Sequence, residues 1–322
     1  MFEEIEGKMV WFELPHSFVI RVSGRDALRY LHARLSNDIR NLAVGAGCFA
    51  AALSAQGKPD ALFAVYRLEE GEFLLVIDGG DPTSILTSLR QFVVTEQIET
   101  VLETHLTCFH SSELPSVLID PEFLVEPSPG LSVQRGPDGA FLCGRVRTTT
   151  PGFDLIVPEK QRDPVLEFFH SREVSALSED EQLVQRVKSG TPVFPTELLA
   201  SRILLESVSG KTAASFTKGC YVGQEVLEKI DSHGRAPRKL VGFKLEGTKP
   251  CRPGEKVFTR GDGEKVSAGE VIDSAPHAQE KSVFGFAYLK RAAAGKLEAD
   301  GREFTIVSEP IHLGIGEREK SQ

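Results

Sequence analysis

Apolar and polar residues alternate along a short segment near the start of the chain. Residues 18–22 show the period of two that is typical of a half-buried strand. The next four residues, Ser23-Gly24-Arg25-Asp26, predict a capping box, and Leu28, Leu31 and Leu35 give the helix that follows one apolar face. The chain is therefore predicted to open with a strand that leads into a helix.

The same alternation continues over the next fifty residues. It predicts strands at about 49–53, 61–68 and 73–78, the last two joined by a short polar turn. Asp81-Pro82 then predicts a helix start, because it combines a capping carboxylate with proline at the first helical position. Helix, strand, strand and helix in this order favour a ferredoxin-like or related open sandwich.

Turn signals divide the rest of the chain into short elements. Pro137-Asp138-Gly139 predicts a turn between two strands, and Ser178 with Glu181 predicts a capped helix that Gly190 ends. After Pro237, short strands spaced by Gly, Pro and Asp predict a small barrel, so the fold class is α+β. The predicted barrel strands are 240–245, 256–259, 267–273, 282–289 and 303–307.

Length and composition are those of a globular protein with two or three packed units. The 322 residues are 41% apolar and 26% charged. Because the net charge is −9, direct binding to nucleic acid is not expected. The acidic N-terminus is too polar for a targeting peptide, and no apolar run approaches the roughly 18–20 residues that cross a bilayer. We expect a soluble, cytoplasmic protein that does not enter a membrane.

The five cysteines are scattered and include no Cys-x-x-Cys pair. This spacing argues against a disulfide framework and against a self-contained zinc or iron–sulfur cage, so no metal site is predicted. Cys48, Cys108 and Cys143 are interpreted as core residues. Cys220 differs from them because polar residues surround it.

Residues 218–225, Lys-Gly-Cys-Tyr-Val-Gly-Gln-Glu, are the most informative segment. Its two glycines allow positive φ and close backbone approach, and the apolar spacing after Gly223 predicts a helix that begins near it. Lys218 and Cys220 would then precede a helix N-terminus, whose positive potential favours a thiolate. The alternative is an inert, buried cysteine in a glycine turn.

Residues 211–240 form a locally basic segment in this acidic chain. They are either an anion-facing patch or an ordinary solvated face. Six residues are basic, against the acidic Glu225, Glu228 and Asp231. The basic residues are Lys211, Lys218, Lys229, Arg235, Arg238 and Lys239.

Segment 218–225 resembles the signature of the YgfZ branch of the folate-binding family that also contains the glycine-cleavage T-protein, an aminomethyltransferase. Every fixed position of the family's Lys-Gly-Cys-aromatic-x-Gly-Gln-Glu pattern matches. Segments 22–38, 53–58 and 186–206 are similar to other parts of the family, and 240–307 is similar to its small all-β module. The resemblance thus covers nearly the whole chain.

The resemblance implies a T-protein-like fold in which α+β units of ferredoxin-like or open-sandwich type surround a central pocket. A small C-terminal β-barrel follows. On this basis residues 1–104 with 178–239 are predicted to form the folate-binding core, 105–177 a second α+β unit, and 240–316 the barrel.

The resemblance also implies tetrahydrofolate as the cofactor, in a pocket that Cys220 borders. A pterin edge carries donors that suit a carboxylate, so Glu197 and Glu206 are its predicted acceptors. Asn37 and Asp38 either join this pocket or form an Asx turn that ends the first helix. The other predicted folate contacts, including a cation for the glutamate tail, are Tyr221, Gln224, Glu225 and Arg235.

Two functions remain open. The resemblance implies an accessory protein for assembly or repair of iron–sulfur enzymes, including tRNA-modifying ones, in which Cys220 handles a thiol-reactive or cluster-derived species. Cys220 and Lys218 are its predicted catalytic residues, and iron–sulfur client or assembly proteins are its predicted partners. The alternative is a folate-dependent aminomethyltransferase with Asp60 as its base. The aminomethyltransferases of the family carry an aspartate pair there, and this chain has only Asp60. A third idea is a hydrolase in which His233 activates Cys220.

Overall fold

The computed structural model describes residues 9–112, 131–172, 174–207, 210–232, 236–260, 265–293 and 295–309. These ranges form two open sheets with helices and one closed barrel, so the predicted α+β class with a C-terminal barrel is confirmed. No helix within them is both long and apolar enough to cross a membrane.

The first sheet is antiparallel and has five strands in the order β3-β4-β5-β2-β6. Its helices α1 and α2 pack on one face, where Leu31 and Leu89 lie among apolar side chains from the strands. The first elements of the chain are β1 (Val10–Glu13), β2 (Phe18–Ser23), α1 (Ala27–Arg34), β3 (Gly47–Leu53), β4 (Pro59–Glu69), β5 (Glu72–Ile77), α2 (Pro82–Arg90) and β6 (Glu99–Leu102).

The second sheet has six strands in the order β11-β1-β7-β10-β9-β8. Strand β1 belongs to it, because it pairs with β7 and β11, although residues 1–104 were predicted to belong to the folate-binding core. Such pairing is non-local and leaves no signal in the sequence. The elements that join β1 here are β7 (Leu106–Ser111), β8 (Ser132–Arg135), β9 (Phe141–Arg145), β10 (Gly152–Pro158), α3 (Arg162–Ser171) and β11 (Ser175–Ala176).

Four helices lead to the barrel within the described ranges. They are α4 (Glu179–Ser189), α5 (Leu204–Ser207), α6 (Gly210–Ala213) and α7 (Gln224–Ser232). Leu183, Val184 and Val187 of α4 lie in one core cluster with residues of both sheets and the barrel. The barrel closes in the order β12-β15-β14-β13-β16-β17. Its strands are β12 (Arg238–Glu246), β13 (Lys256–Arg260), β14 (Val266–His277), β15 (Ser282–Lys290), β16 (Lys296–Ala299) and β17 (Arg302–Ser308).

Of the three predicted helix caps, two are confirmed. Ser178 forms a full capping box with Glu181, and the Asp81 side chain accepts from Ser84 N. The capping box predicted at Ser23 is wrong, because α1 begins at Ala27 and its first residues receive no side-chain cap. The carboxylate of Asp26 instead accepts a hydrogen bond from Gln97 N at 2.9 Å, which ties α1 to a distant loop.

A buried ionic cluster joins the two α+β units. Arg147 donates from Nε and Nη2 to the two oxygens of Asp154 at 2.7 and 2.8 Å, and from Nη2 to Asp78 at 2.6 Å. Arg145 also contacts both carboxylates. His110 Nδ1 lies 2.9 Å from Asp154 Oδ1. Because Asp78 follows β5 and the other residues belong to the second unit, the cluster fixes one unit against the other.

We expect Asp154→Asn to lower the free energy of unfolding by about 3–5 kcal/mol, because it leaves two buried guanidinium groups with one carboxylate. Burial acts to raise the pKa of Asp154, but the charges of Arg147 and Arg145 and the hydrogen bonds from His110 and Arg147 together hold it well below its usual value. The carboxylate's contribution is therefore present above the unfolded pKa of about 3.9 and is lost as pH falls below it.

Denaturant titrations between pH 3 and pH 7 measure this effect. The variant should lose part of the wild-type stability at neutral pH and show a weaker pH dependence below about pH 4. Asp163→Asn on the exposed face of α3 is the matched control. Equal stability of Asp154→Asn and this control would contradict a structural role for the cluster.

Candidate functional site

Lys218 fastens the turn of residues 218–223 to the end of α1. Its Nζ donates to the backbone carbonyls of His32, Leu35 and Asn37, the last at 2.9 Å. These carbonyls lack partners within the helix, and the negative end of the helix dipole favours a cation there. Burial lowers the pKa of the Lys218 amino group to about 8, while nearby Asp38 opposes that shift. Lys218 was predicted as catalytic, and these contacts give it a positioning role.

Cys220 is exposed and lies directly before α7, whereas Cys108, Cys143 and Cys251 are buried. Its position agrees with the predicted reactive thiol at a turn and not with a cysteine sealed in the core. Cys48 is half-buried, and burial raises the pKa of its thiol to about 12. Cys220 is therefore the one exposed residue among the five cysteines.

Tyr221 and Gln224 stabilise the turn that carries the thiol. The Tyr221 ring is buried, with its centroid 4.9 Å from Lys218 Nζ, and burial raises the pKa of its hydroxyl to about 12. Gln224 Oε1 accepts from Tyr221 N at 3.2 Å, and Gln224 Nε2 donates to Glu228 at 2.6 Å. Glu225 is exposed on α7.

Two glycines allow the start of α7 to pack closely on the β3–β4 turn. Gly223 has φ +84°, and a Cβ there would lie 2.6 Å from Ser54 O. Gly57 has φ +72° and faces Val226 and Leu227 of α7 at 3.2–3.3 Å. Both positions require positive φ, and a larger residue at Gly223 would also collide with backbone. Of the two glycines in segment 218–225, Gly223 shows the predicted positive φ and close backbone approach, whereas a Cβ on Gly219 would meet nothing within 4 Å.

Asn37 and Asp38 form the turn that receives Lys218. Asn37 Nδ2 donates to Phe49 O at 2.7 Å, and Asp38 Oδ1 accepts from Arg40 N at 3.0 Å. Partial burial acts to raise the pKa of Asp38, but hydrogen bonds from Asn41 and Arg40 lower it overall. Of the two alternatives for this pair, the structure shows the turn.

The three predicted carboxylates have different surroundings. Glu197 is fully buried and accepts from Arg186 at 2.9 Å and from Val193 N at 2.6 Å. Glu206 is buried on α5, and Asp60 lies at the start of β4 with an oxygen 3.7 Å from Arg34. Arg235 and His233 lie outside the described residues.

A cavity of about 540 Å³ lies where the β1–β2 link, the end of β5 and α4 meet. Its size is typical of a small-molecule site, and its walls are mainly apolar. Their main apolar residues are Phe12, Leu14, Pro15, Phe18, Val193 and Pro195. Charged or titratable side chains also reach the cavity from Glu13, His16, Asp78, Arg147 and Arg186.

The polar groups that line this cavity suit a ligand that has hydrogen-bond donors along one edge of a ring and carries an anionic tail. Asp78 presents a carboxylate held by Arg147 and by Ser17 Oγ at 3.0 Å. Arg186 Nε is buried and has no hydrogen-bond partner among the described residues. None of the predicted folate contacts within the described ranges lines the cavity. Asp78 and Arg147 were missed, although an aspartate that ends a strand before Gly79-Gly80 is a recognisable signal.

We predict that Lys218→Met lowers the free energy of unfolding by about 2 kcal/mol, because three carbonyls at and just after the end of α1 lose a charged donor. It should also increase amide exchange at residues 219–223. Lys160→Met, an exposed position in a turn before α3, is the matched control. Denaturant titration and hydrogen exchange measure the two effects, and unchanged exchange in the turn would contradict the positioning role.

Comparison with known proteins identifies the fold. No model of a known protein family matches the chain. It is 24% identical over 246 residues to an uncharacterized protein of Haemophilus influenzae, with 74% of this chain and 75% of that protein covered. It is 23% identical over 346 residues to an aminomethyltransferase of Corynebacterium jeikeium, with 94% and 87% covered.

Among solved structures, glycine cleavage system aminomethyltransferase T from Bartonella henselae matches with a TM-score of 0.82. The sequence identity is 16%, and the match covers 95% of this chain and 87% of that chain. The chain therefore has the aminomethyltransferase T fold, as predicted from the resemblance. Membership of the YgfZ branch stays a prediction.

Proposed function

We propose that this chain binds a reduced folate and serves as an accessory protein in the assembly or repair of iron–sulfur enzymes, tRNA-modifying ones among them. Cys220 is its reactive thiol. The observation that carries the proposal is the exposed Cys220, fixed by Lys218 on the aminomethyltransferase T fold. Such a thiol can reach a partner protein, which a buried catalytic group cannot.

Tetrahydrofolate fits the 540 Å³ cavity in three respects. Its pterin edge carries N–H donors, for which Asp78 offers a carboxylate. Its rings are apolar on both faces, as are the walls that Leu14 and Val193 help to form. Its glutamate tail is anionic, and Arg186 and His16 offer it cationic or hydrogen-bonding groups. These residues would bind and orient the cofactor and shield its rings from water.

The position of Asp60 favours this proposal over aminomethyl transfer. A general base must reach the proton that it removes. Asp60 does not line the cavity, and its carboxylate faces Arg34. The structure therefore offers Asp60 no route to a folate held in that cavity. When bound, tetrahydrofolate would supply a one-carbon acceptor or a structural ligand.

Calorimetry with tetrahydrofolate tests the first half of the proposal. We expect binding to the wild-type chain and at least about tenfold weaker binding to Asp78→Asn, which loses a charge-assisted acceptor. Asp60→Asn and Cys220→Ser should bind like wild type. Absence of binding by folded wild-type protein would exclude folate, and equal loss in Asp60→Asn would place the ligand elsewhere.

A cellular assay tests the second half. In cells that lack the chromosomal copy, Cys220→Ser should fail to restore the activity of iron–sulfur enzymes, because serine cannot replace a thiolate nucleophile. Mass spectrometry of modified tRNA nucleosides measures one such activity. Thr217→Ala, an exposed change in the same turn, should restore it fully. Full activity with Cys220→Ser at equal protein level would exclude the accessory role.

A further inference from the structure

A second cleft adjoins the exposed thiol. It has a volume of about 230 Å³, and its walls come from α1, from Phe92 after α2 and from Val222. Val222 is two residues after Cys220, so the wall of the cleft continues into the turn that presents the sulfur. The cleft shares no lining residue with the 540 Å³ cavity.

Phe92 lines the cleft, and Val94, two residues later in the chain, also exposes its apolar side chain to solvent. Phe92 is 45% exposed and Val94 is 85% exposed, although both are large apolar residues. Inside the cleft, the Arg34 guanidinium lies 4.9 Å from the centre of the Phe92 ring, and its Nε is buried without a hydrogen-bond partner among the described residues. Exposed apolar residues around a depression are typical of protein contacts.

The size of the cleft favours a side chain over a whole small molecule. Small-molecule pockets usually measure about 300–1,000 Å³, and this cleft is smaller. One apolar side chain of a partner can fill such a depression, and anchors of this kind dominate the energy of many protein interfaces. The exposed Phe92 and Val94 extend the contact beyond the cleft itself.

Glu96 lines the cleft together with Arg29, so charges of both signs occur there, and the arginines at its rim are the more exposed. The side chains of Arg25 and Arg29 are 72% and 65% exposed, whereas those of Asp26 and Glu96 are 21% and 19% exposed. Both carboxylates also accept backbone hydrogen bonds, Asp26 from Gln97 N and Glu96 from the N–H groups of residues 94 and 95. The arginines are only loosely paired with them, at 3.6–3.7 Å.

We propose that this cleft docks a segment of a partner protein that carries an apolar residue flanked by carboxylates, with a cysteine nearby. The apolar side chain enters between Phe92 and Val222, the carboxylates meet Arg25 and Arg29, and the partner's cysteine comes next to Cys220. This inference rests on the proposed function, since it describes how an iron–sulfur client would be recognised.

Thiol exchange with synthetic peptides tests the docking. Three peptides carry a C-terminal cysteine as a disulfide with thionitrobenzoate: Asp-Leu-Glu-Gly-Cys, Lys-Leu-Lys-Gly-Cys and Gly-Gly-Gly-Gly-Cys. The Cys220 thiolate attacks the peptide sulfur, a Cys220–peptide disulfide forms, and coloured thionitrobenzoate leaves as the better leaving group. One disulfide breaks as another forms, so no further oxidant is needed. Cys220→Ser gives the background rate.

We expect the acidic peptide to react about fivefold faster than the glycine peptide. The basic peptide should react no faster than the glycine peptide. Arg29→Glu should abolish or reverse that order, and Val94→Asp should remove the acidic peptide's advantage. Arg252→Glu and Val266→Asp, exposed positions on the barrel, are the matched controls and should keep it. The glycine peptide's rate shows whether a variant keeps its intrinsic thiol reactivity.

Equal rates for acidic and basic peptides, or an order that Arg29→Glu leaves unchanged, would overturn the docking surface. A fourth peptide, acidic but with glycine in place of leucine, should react no faster than the glycine peptide. If it keeps the faster rate, the site recognises small anions, and the assignment to a protein segment is wrong. Failure here with intact folate binding and an intact cellular requirement for Cys220 would exclude the docking surface alone.

Discussion

An ammonium group on the end of a helix determines where the exposed thiol lies. Lysine suits this place because three carbonyls can converge on its ammonium group and each accept one of its three N–H donors. The planar guanidinium of arginine cannot bind three carbonyls in this way. The negative end of the α1 dipole adds to the attraction. Because Lys218 is two residues before Cys220, fixing its Nζ on His32, Leu35 and Asn37 also fixes the backbone at the sulfur. The lysine of the signature is thus part of the architecture.

The thiol and the large cavity are built on different strands at the same end of the first sheet. The end of β5 supplies Asp78 to the cavity, whereas the β3–β4 turn supports α7 behind Cys220. Neither site uses a residue of the other, so each can be altered by mutation without removing the other's contacts. Any coupling between folate occupancy and thiol reactivity would have to pass through strands β3, β4 and β5.

Local signals in the sequence predicted much of the fold, and non-local contacts account for what was missed. The capping box at Ser178 and the turns of the barrel depend on residues a few positions apart, so the sequence alone predicts them. Strand β1 joins the second sheet through partners about a hundred residues away, and β16 was missed because its four residues are too few for a clear pattern.

The candidate site shows the same division. The turn at Cys220 and the helix after Gly223 follow from local chemistry. The carbonyls that receive Lys218 lie more than 180 residues earlier in the chain, and the guanidinium groups that hold Asp78 lie almost 70 residues later. Glu197 matched the family pattern, but its carboxylate accepts from Arg186 and Val193 N and does not line the cavity, whereas Asp78 does. A carboxylate's role therefore depends on which donors the fold brings to it.

The proposed accessory function depends on the places of Asp60 and Cys220. An aminomethyltransferase needs its acid within reach of the bound folate, since transfer occurs at the cofactor. Here Asp60 and the Cys220 turn both adjoin α1, and neither lines the cavity that fits a folate. A chain arranged in this way can keep a ligand-shaped cavity while its reactive group faces solvent. Chemistry at such a group requires a partner that approaches from outside, which is what an accessory protein provides.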